Sequence, residues 1–181
     1  SPYTELDEPC PVSVYGRSKL AGEQAIRESG CEFLIFRTSW VFASRGHNFL
    51  RTILRLAGER EELNIVSDQV GAPSWARLIA ETTAHCLRQT ITERRLSKFN
   101  SGIYHLTARG ETSWHGFAEA IVECMTGHWK NEISLQKINP ISTAEFPLPA
   151  ERPKYSRLDT TLMENQFGLS MPGWEKTLKL C

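Results

Sequence analysis

Pro11-Val-Ser-Val-Tyr15-Gly-Arg-Ser-Lys19-Leu-Ala-Gly-Glu23 sets a tyrosine and a lysine four residues apart inside a stretch patterned as a helix. An α-helix turns by about 100° per residue, so i and i+4 lie roughly one turn apart on one face and can serve one site. A phenol in water titrates near about 10, and an adjacent ammonium that stabilises the phenolate can lower that by about 1–3 units. Such a pair suits proton donation to a carbonyl oxygen under reduction. Taken alone, the spacing is common on amphipathic helices, where a half-buried tyrosine beside a solvated lysine accounts for it.

Outward from this helix the chain alternates helical and strand patterns, as an α/β protein does. Residues 13–29 read as the helix, ended by Gly30, since glycine takes the left-handed C′ conformation without a Cβ penalty. Phe33-Leu-Ile-Phe36 is a short apolar run suited to a strand covered on both faces. A helix over 48–59 follows, with Phe49, Ile53, Leu54, Leu56 and Ala57 toward the core. Then come a strand at Leu63–Val66, a helix over 75–90 and a strand at Ile103–Leu106. Beyond Leu106 the pattern predicts a helix at 112–126, a strand near 133–138, and an extended proline-rich segment from Pro140 to Pro153 that reads as a lid or wall. Asp159 caps a short helix to Phe167 that Gly168 stops, and Trp174 opens a last helix. There is no internal repeat.

The string around Tyr15 resembles the active-site helix of extended short-chain dehydrogenases/reductases. Phe36-Arg-Thr-Ser-Trp-Val-Phe42 and Ser67-Asp-Gln-Val-Gly-Ala-Pro73 resemble the sugar-nucleotide reductase branch of that superfamily, the dTDP-4-dehydrorhamnose reductase family. Arg152-Pro153 followed by Ser156-Arg-Leu158 agrees with the same branch, and the resemblance spans roughly residues 1–178. It implies the C-terminal part of an NAD(P)-binding, Rossmann-like doubly wound parallel sheet, with a smaller mixed α/β substrate-binding region. Residues 1–60 and 75–107 would be the Rossmann-like remainder, and 61–74 with 108–181 the substrate-binding region. No Gly-x-Gly-x-x-Gly or Gly-x-x-Gly-x-x-Gly follows a strand. The first βα unit, which would cradle a pyrophosphate, is therefore expected to be missing, together with the family's upstream Ser/Thr.

The activity this implies is reduction of the C4 ketone of a dTDP-linked 4-dehydro-6-deoxyhexose, as in making dTDP-L-rhamnose for cell-surface polysaccharide, with NADPH or NADH as hydride source. Tyr15 would give the proton to the emerging alkoxide. Lys19 would assist the phenol and hydrogen-bond the nicotinamide ribose. Trp40, just past a strand's carboxyl end, is by residue type a core or rim aromatic, and by resemblance a contact for the sugar nucleotide. Asp68 to Pro73 reads equally as turn chemistry, and Ser74 keeps the hydroxyl of the family's threonine as a helix cap. Arg152, a planar fork beside a rigid proline, is a candidate for the diphosphate, although nearby charges give it ordinary surface explanations. Two alternatives remain: a sugar-nucleotide epimerase or dehydratase of the same superfamily, and a non-catalytic regulatory subunit with a reductase-like fold.

Composition narrows the partners. Among 181 residues, 21 basic side chains balance 21 acidic ones, leaving no basic footprint for nucleic acid or an anionic membrane. No apolar run approaches the roughly 18 residues of a membrane span. The five cysteines are scattered without C-x-x-C spacing, and the five histidines lack His-x-x-x-His, so no metal site is expected and reduced cytoplasmic thiols are. The expected partner is a dTDP-sugar, and a homodimer is compatible with the resemblance.

Overall fold

Ser13 starts the first helix by accepting the Gly16 N–H on its Oγ at 3.1 Å. The computed structural model describes residues 1–126 and 133–181. In chain order the elements are α1 (Val14–Glu28), β1 (Leu34–Arg37), β2 (Val41–Phe42), α2 (Phe49–Glu59), β3 (Glu62–Val66), β4 (Val70–Gly71), β5 (Ser74–Trp75), α3 (Ala76–Arg95) and β6 (Gly102–His105). β7 (Thr112–Ser113), α4 (Trp114–Thr126), β8 (Lys137–Ile141), a 3-10 turn at Thr143–Glu145, α5 (Thr161–Phe167) and α6 (Trp174–Leu180) complete them. β1 pairs in parallel with β6, β2 with β5, and β3 with β8, while β4 and β7 run antiparallel. Parallel neighbours need long crossovers, and the helices supply them, giving the α/β class expected.

Two apolar clusters hold these elements. Phe42, Leu50, Ile53, Phe117, Ile121 and Trp174 join β2, α2, α4 and α6, with Phe117 ringed by Phe42 at 5.3 Å, Phe49 at 5.6 Å and Trp174 at 5.8 Å between centroids. Cys86, Tyr104, Leu106, Met163, Phe167 and Met171 form the second, between α3, β6 and α5. Burial pushes the Cys86 thiol up to about 11, so it is an apolar filler rather than a nucleophile. Helix α1 buries no residue fully. It is tied down instead by Glu23, which takes Arg37 of β1 bidentately, with Nε at 2.9 Å from Oε1 and Nη2 at 2.6 Å from Oε2.

Gly30 (φ 72°) and Gly168 (φ 62°) adopt the left-handed conformation the helix ends require. Several boundaries differ from expectation. The strand near 133–138 begins only at Lys137 and runs into the proline-rich segment to Ile141. Ser134 and Leu135 instead donate their N–H groups to Ala57 O, and Gln136 to Glu61 O. Pro140 is tolerated in β8 because, among the described residues, that strand pairs with β3 alone, leaving an edge where a missing N–H costs nothing. Helix α3 continues five residues past 90, to Arg95, because nothing between them breaks it, and α4 starts at Trp114 because Thr112–Ser113 pair with β4. Thr160, not Asp159, is the N-cap of α5, although Asp159 Oδ1 still accepts the Thr161 N–H at 2.8 Å. Ser74 does not cap α3: it is buried, its Oγ donating to Ala72 O at 3.0 Å and accepting the Ala108 N–H at 3.2 Å. No described helix is long and apolar enough to cross a membrane.

Candidate active site

Two residues past the end of β1 and one further, the backbone of Trp40 turns to φ 48°. For an L-residue with a bulky side chain this left-handed conformation costs on the order of 1–2 kcal/mol, so its surroundings must hold it. They do so from three sides. The Trp40 indole lies parallel to that of Trp114, with centroids 3.6 Å apart and planes 4° from coplanar. Its Nε1 donates to Ser156 Oγ at 3.0 Å, and its carbonyl accepts the Ser74 N–H at 3.0 Å. Ser156 Oγ in turn donates to Val70 O at 3.2 Å.

Gly71 completes the seat. A Cβ there would stand 2.6 Å from Trp40 Cε2 and Nε1 and 2.7 Å from Ser156 Oγ, closer than such atoms ever approach. Gly71 is therefore required for space, not for a turn: it sits in β4, opposite Thr112, without positive φ. Gly71→Ala is expected to push the indole off its seat, weakening a ligand that packs on Trp40 by about tenfold while binding of a bare nucleotide diphosphate is kept. Isothermal calorimetry with dTDP-L-rhamnose and with dTDP, the ligands the resemblance implies, checks it; equal loss for both would mean that β4 itself had collapsed.

The second indole is fixed as firmly. Trp114 Nε1 donates to Gln69 Oε1 at 3.2 Å, and the buried Gln69 amide passes its own Nε2–H to Thr143 Oγ1 at 3.1 Å. Thr143 also donates its backbone N–H (2.8 Å) and hydroxyl (2.6 Å) to Asp68 Oδ1, and the hydroxyl bond is the chief reason the Asp68 carboxyl lies below its ordinary value. The strings 36–42, 67–73 and 152–158, far apart in sequence, thus meet around Trp40. Trp114, Gln69 and Thr143 were not anticipated as site residues. A tryptophan opening α4 carries no sequence signal beyond an ordinary core aromatic.

Tyr15 and Lys19 share one face of α1 as their spacing predicts, with Lys19 Nζ 5.3 Å from the Tyr15 ring centroid. Both are exposed, and neither polar end has a hydrogen-bond partner among the described residues, so both remain available to a ligand. The Glu23–Arg37 pair, with side chains 17% and 20% exposed, fixes the helix that carries them to the strand that leads to Trp40. Arg152 is exposed and forms no ion pair with a described residue.

A separate cavity of about 250 Å³ is lined by Arg109, Arg157, Asp159, Thr160 and Glu164 among others, and contains none of the site residues nominated from sequence. Its charges are matched internally. Glu164 takes Arg109 on both oxygens and accepts the Met171 N–H at 2.8 Å and the Thr160 hydroxyl at 3.2 Å, while Arg157 reaches Glu111 at 3.0 Å. Burial alone would raise the Glu164 carboxyl, but Arg109, Met171 and Thr160 together hold it below its ordinary 4.5. A folded value below the unfolded one gives stability that is complete above the unfolded value and fades as pH falls through the folded one. Glu164→Gln should therefore cost about 1–2 kcal/mol at neutral pH. Its urea midpoint should also fall less steeply on acidification below 4.5 than that of the parent chain; parallel pH profiles would refute this.

Among the described residues no group of three or more His, Cys, Asp or Glu side chains could hold a metal; His128 lies outside them.

The RmlD substrate binding domain family matches residues 1–181. A dTDP-4-dehydrorhamnose reductase of Burkholderia thailandensis is 50% identical over 186 residues, covering all of this chain and 61% of its own. Among solved structures, a dTDP-4-dehydrorhamnose reductase of Clostridium acetobutylicum superposes with TM-score 0.82 at 36% identity, over 99% of this chain and 58% of that one. Its counterpart from Bacillus anthracis, in complex with NADP, gives 0.78 at 35% identity, with the same coverage. The chain thus spans about three fifths of the length of the relatives it matches.

Proposed function

The chain belongs to the RmlD substrate binding domain family, and on that premise we propose that the intact enzyme carrying it reduces the C4 ketone of dTDP-4-dehydro-L-rhamnose to dTDP-L-rhamnose, with NADPH or NADH. The observation that carries this reading is the convergence of three separate sequence strings on Trp40, a partly exposed aromatic ring of the kind that packs on a deoxysugar. The relatives named dTDP-4-dehydrorhamnose reductase support the same substrate.

The division of labour follows from the residues. Tyr15 gives its phenolic proton to the C4 oxygen as negative charge develops there. Lys19, one helical turn away, stabilises the phenolate left behind and donates to a ribose hydroxyl of the dinucleotide; the reading is supported by the absence of a hydrogen-bond partner for either polar end among the described residues. The bound nicotinamide supplies the hydride. Trp40 packs on the sugar, and Arg152 reaches the diphosphate. Residues 1–60 with 75–107 carry the proton donor and the cofactor side, and 61–74 with 108–181 the remainder of the sugar seat.

Incubating the intact enzyme with dTDP-4-dehydro-L-rhamnose and NADPH tests the assignment. Stoichiometric oxidation of the dinucleotide, with dTDP-L-rhamnose as product, is expected. Interconversion of dTDP-sugars without net consumption would make the enzyme an epimerase, and no reaction with either dinucleotide would leave a binding subunit.

A further inference from the structure

The Trp40–Trp114 pair is asymmetric in a way that assigns the two indoles different tasks. Trp40 follows a strand end, carries the left-handed backbone and is anchored at its rim by Ser156. Trp114 opens a helix, has ordinary neighbours and is backed by the core: Phe49 lies 4.6 Å from it between centroids, and Phe49 in turn stacks on Phe117. Its N–H is committed inward to Gln69, which is 4% exposed and held by Thr143. The ribbon also links them, because Val70↔Ser113 and Gly71↔Thr112 pairing places Trp114 directly after the strand opposite the glycine on which Trp40 rests.

We propose that Trp114 is a positioning residue for the sugar: it holds Trp40 in its strained, seated orientation, and Gln69 locks Trp114 by its indole N–H. This rests on the reading that Trp40 carries the sugar. The indole of Trp114, parallel to that of Trp40 at 3.6 Å, selects one of the rotamers the φ 48° backbone allows and holds it before the ligand arrives. The contribution is to binding, so it belongs in KM for the sugar nucleotide and not in kcat.

The test uses the intact enzyme and two probes, dTDP-L-rhamnose and dTDP. Trp114→Leu removes the flat face, and Trp114→Phe keeps one. With Leu, affinity for dTDP-L-rhamnose and KM for the 4-keto substrate should worsen about tenfold, with dTDP affinity and kcat within about threefold; Phe should restore most of the loss. In a Trp40→Ala background, Trp114→Leu should add less than about twofold, since it acts through the ring already removed. Equal weakening of dTDP and dTDP-L-rhamnose, or full additivity with Trp40→Ala, would overturn the proposal while leaving Trp40 as the sugar seat. A silent Trp40→Ala would instead overturn the underlying reading and the proposal with it. If Trp114→Leu does not fold, Gln69→Met, which frees the indole N–H, should give the same selective loss at about threefold, and no loss there would count against the proposal.

Discussion

Tyr15→Phe in the intact enzyme lowers kcat by at least about 100-fold and leaves the affinity for the reduced dinucleotide within a few-fold. The hydroxyl is exposed and has no hydrogen-bond partner among the described residues, so removing one oxygen leaves no buried group unpaired and should shift the melting temperature little. The Ser13 cap and the Glu23–Arg37 clamp that position α1 both survive the substitution. Lys19 also remains, one turn along, for the dinucleotide ribose. What is lost is the proton the proposed mechanism gives to the carbonyl oxygen, and a positioned acid contributes about 10²–10⁴-fold. Steady-state kinetics at saturating 4-keto sugar, with dinucleotide binding followed by fluorescence, separate the two quantities. Turnover like that of the parent enzyme would remove Tyr15 from the chemistry.

The parts of this site that were readable in the sequence are those that depend on local geometry. The i, i+4 spacing of Tyr15 and Lys19 needs only a helix, and Gly30 and Gly168 needed only the steric rule that allows glycine a positive φ. The quoted strings located Trp40 and Ser156 but not their bond, which joins residues 116 positions apart. Gly71 was legible as a turn former and proved to be a close-approach residue, because the atom it makes room for belongs to an indole from another segment. Ser74 looked like a cap for the same reason: its hydroxyl is used by Ala108, a partner 34 positions away. Pro140 was read as the start of the extended segment, and it lies inside β8 instead, where the edge position makes its missing N–H harmless.

Glu23 and Arg37 show how much of the positioning lies in such distant pairs. Each belongs to a string quoted for its resemblance, yet neither string reveals that the carboxylate of one grips the guanidinium of the other. With α1 burying no residue fully, this bidentate pair is the main polar link between the proton donor's helix and the strand whose extension ends in the aromatic seat. On the proposed reading, the geometry of Tyr15 relative to the sugar therefore rests on residues that touch neither.

Trp40→Ala separates a sugar-nucleotide reductase from a reductase of some other ketone. Its N–H is donated to Ser156 within the protein, so the contact offered to a sugar is the apolar ring, and deleting it removes roughly 1.4–2.8 kcal/mol of substrate interaction. The expected result is a loss of about 10- to 100-fold in kcat/KM for the 4-keto sugar, with dinucleotide affinity unchanged. Because Trp40 is only partly buried, folding should suffer by no more than about 1–2 kcal/mol, chiefly through the lost stack on Trp114, whereas a core tryptophan would cost about 3–5 kcal/mol. Trp40→Phe sharpens the assignment, since it keeps an aromatic face and gives up the Ser156 bond. If the ring carries the sugar, Phe should recover most of the activity, and if the anchoring N–H is what matters, it should behave like Ala. A Trp40→Ala protein that unfolds would place the residue in the core, and one that retains full kcat/KM would leave Tyr15 and Lys19 serving a substrate that never meets this aromatic seat.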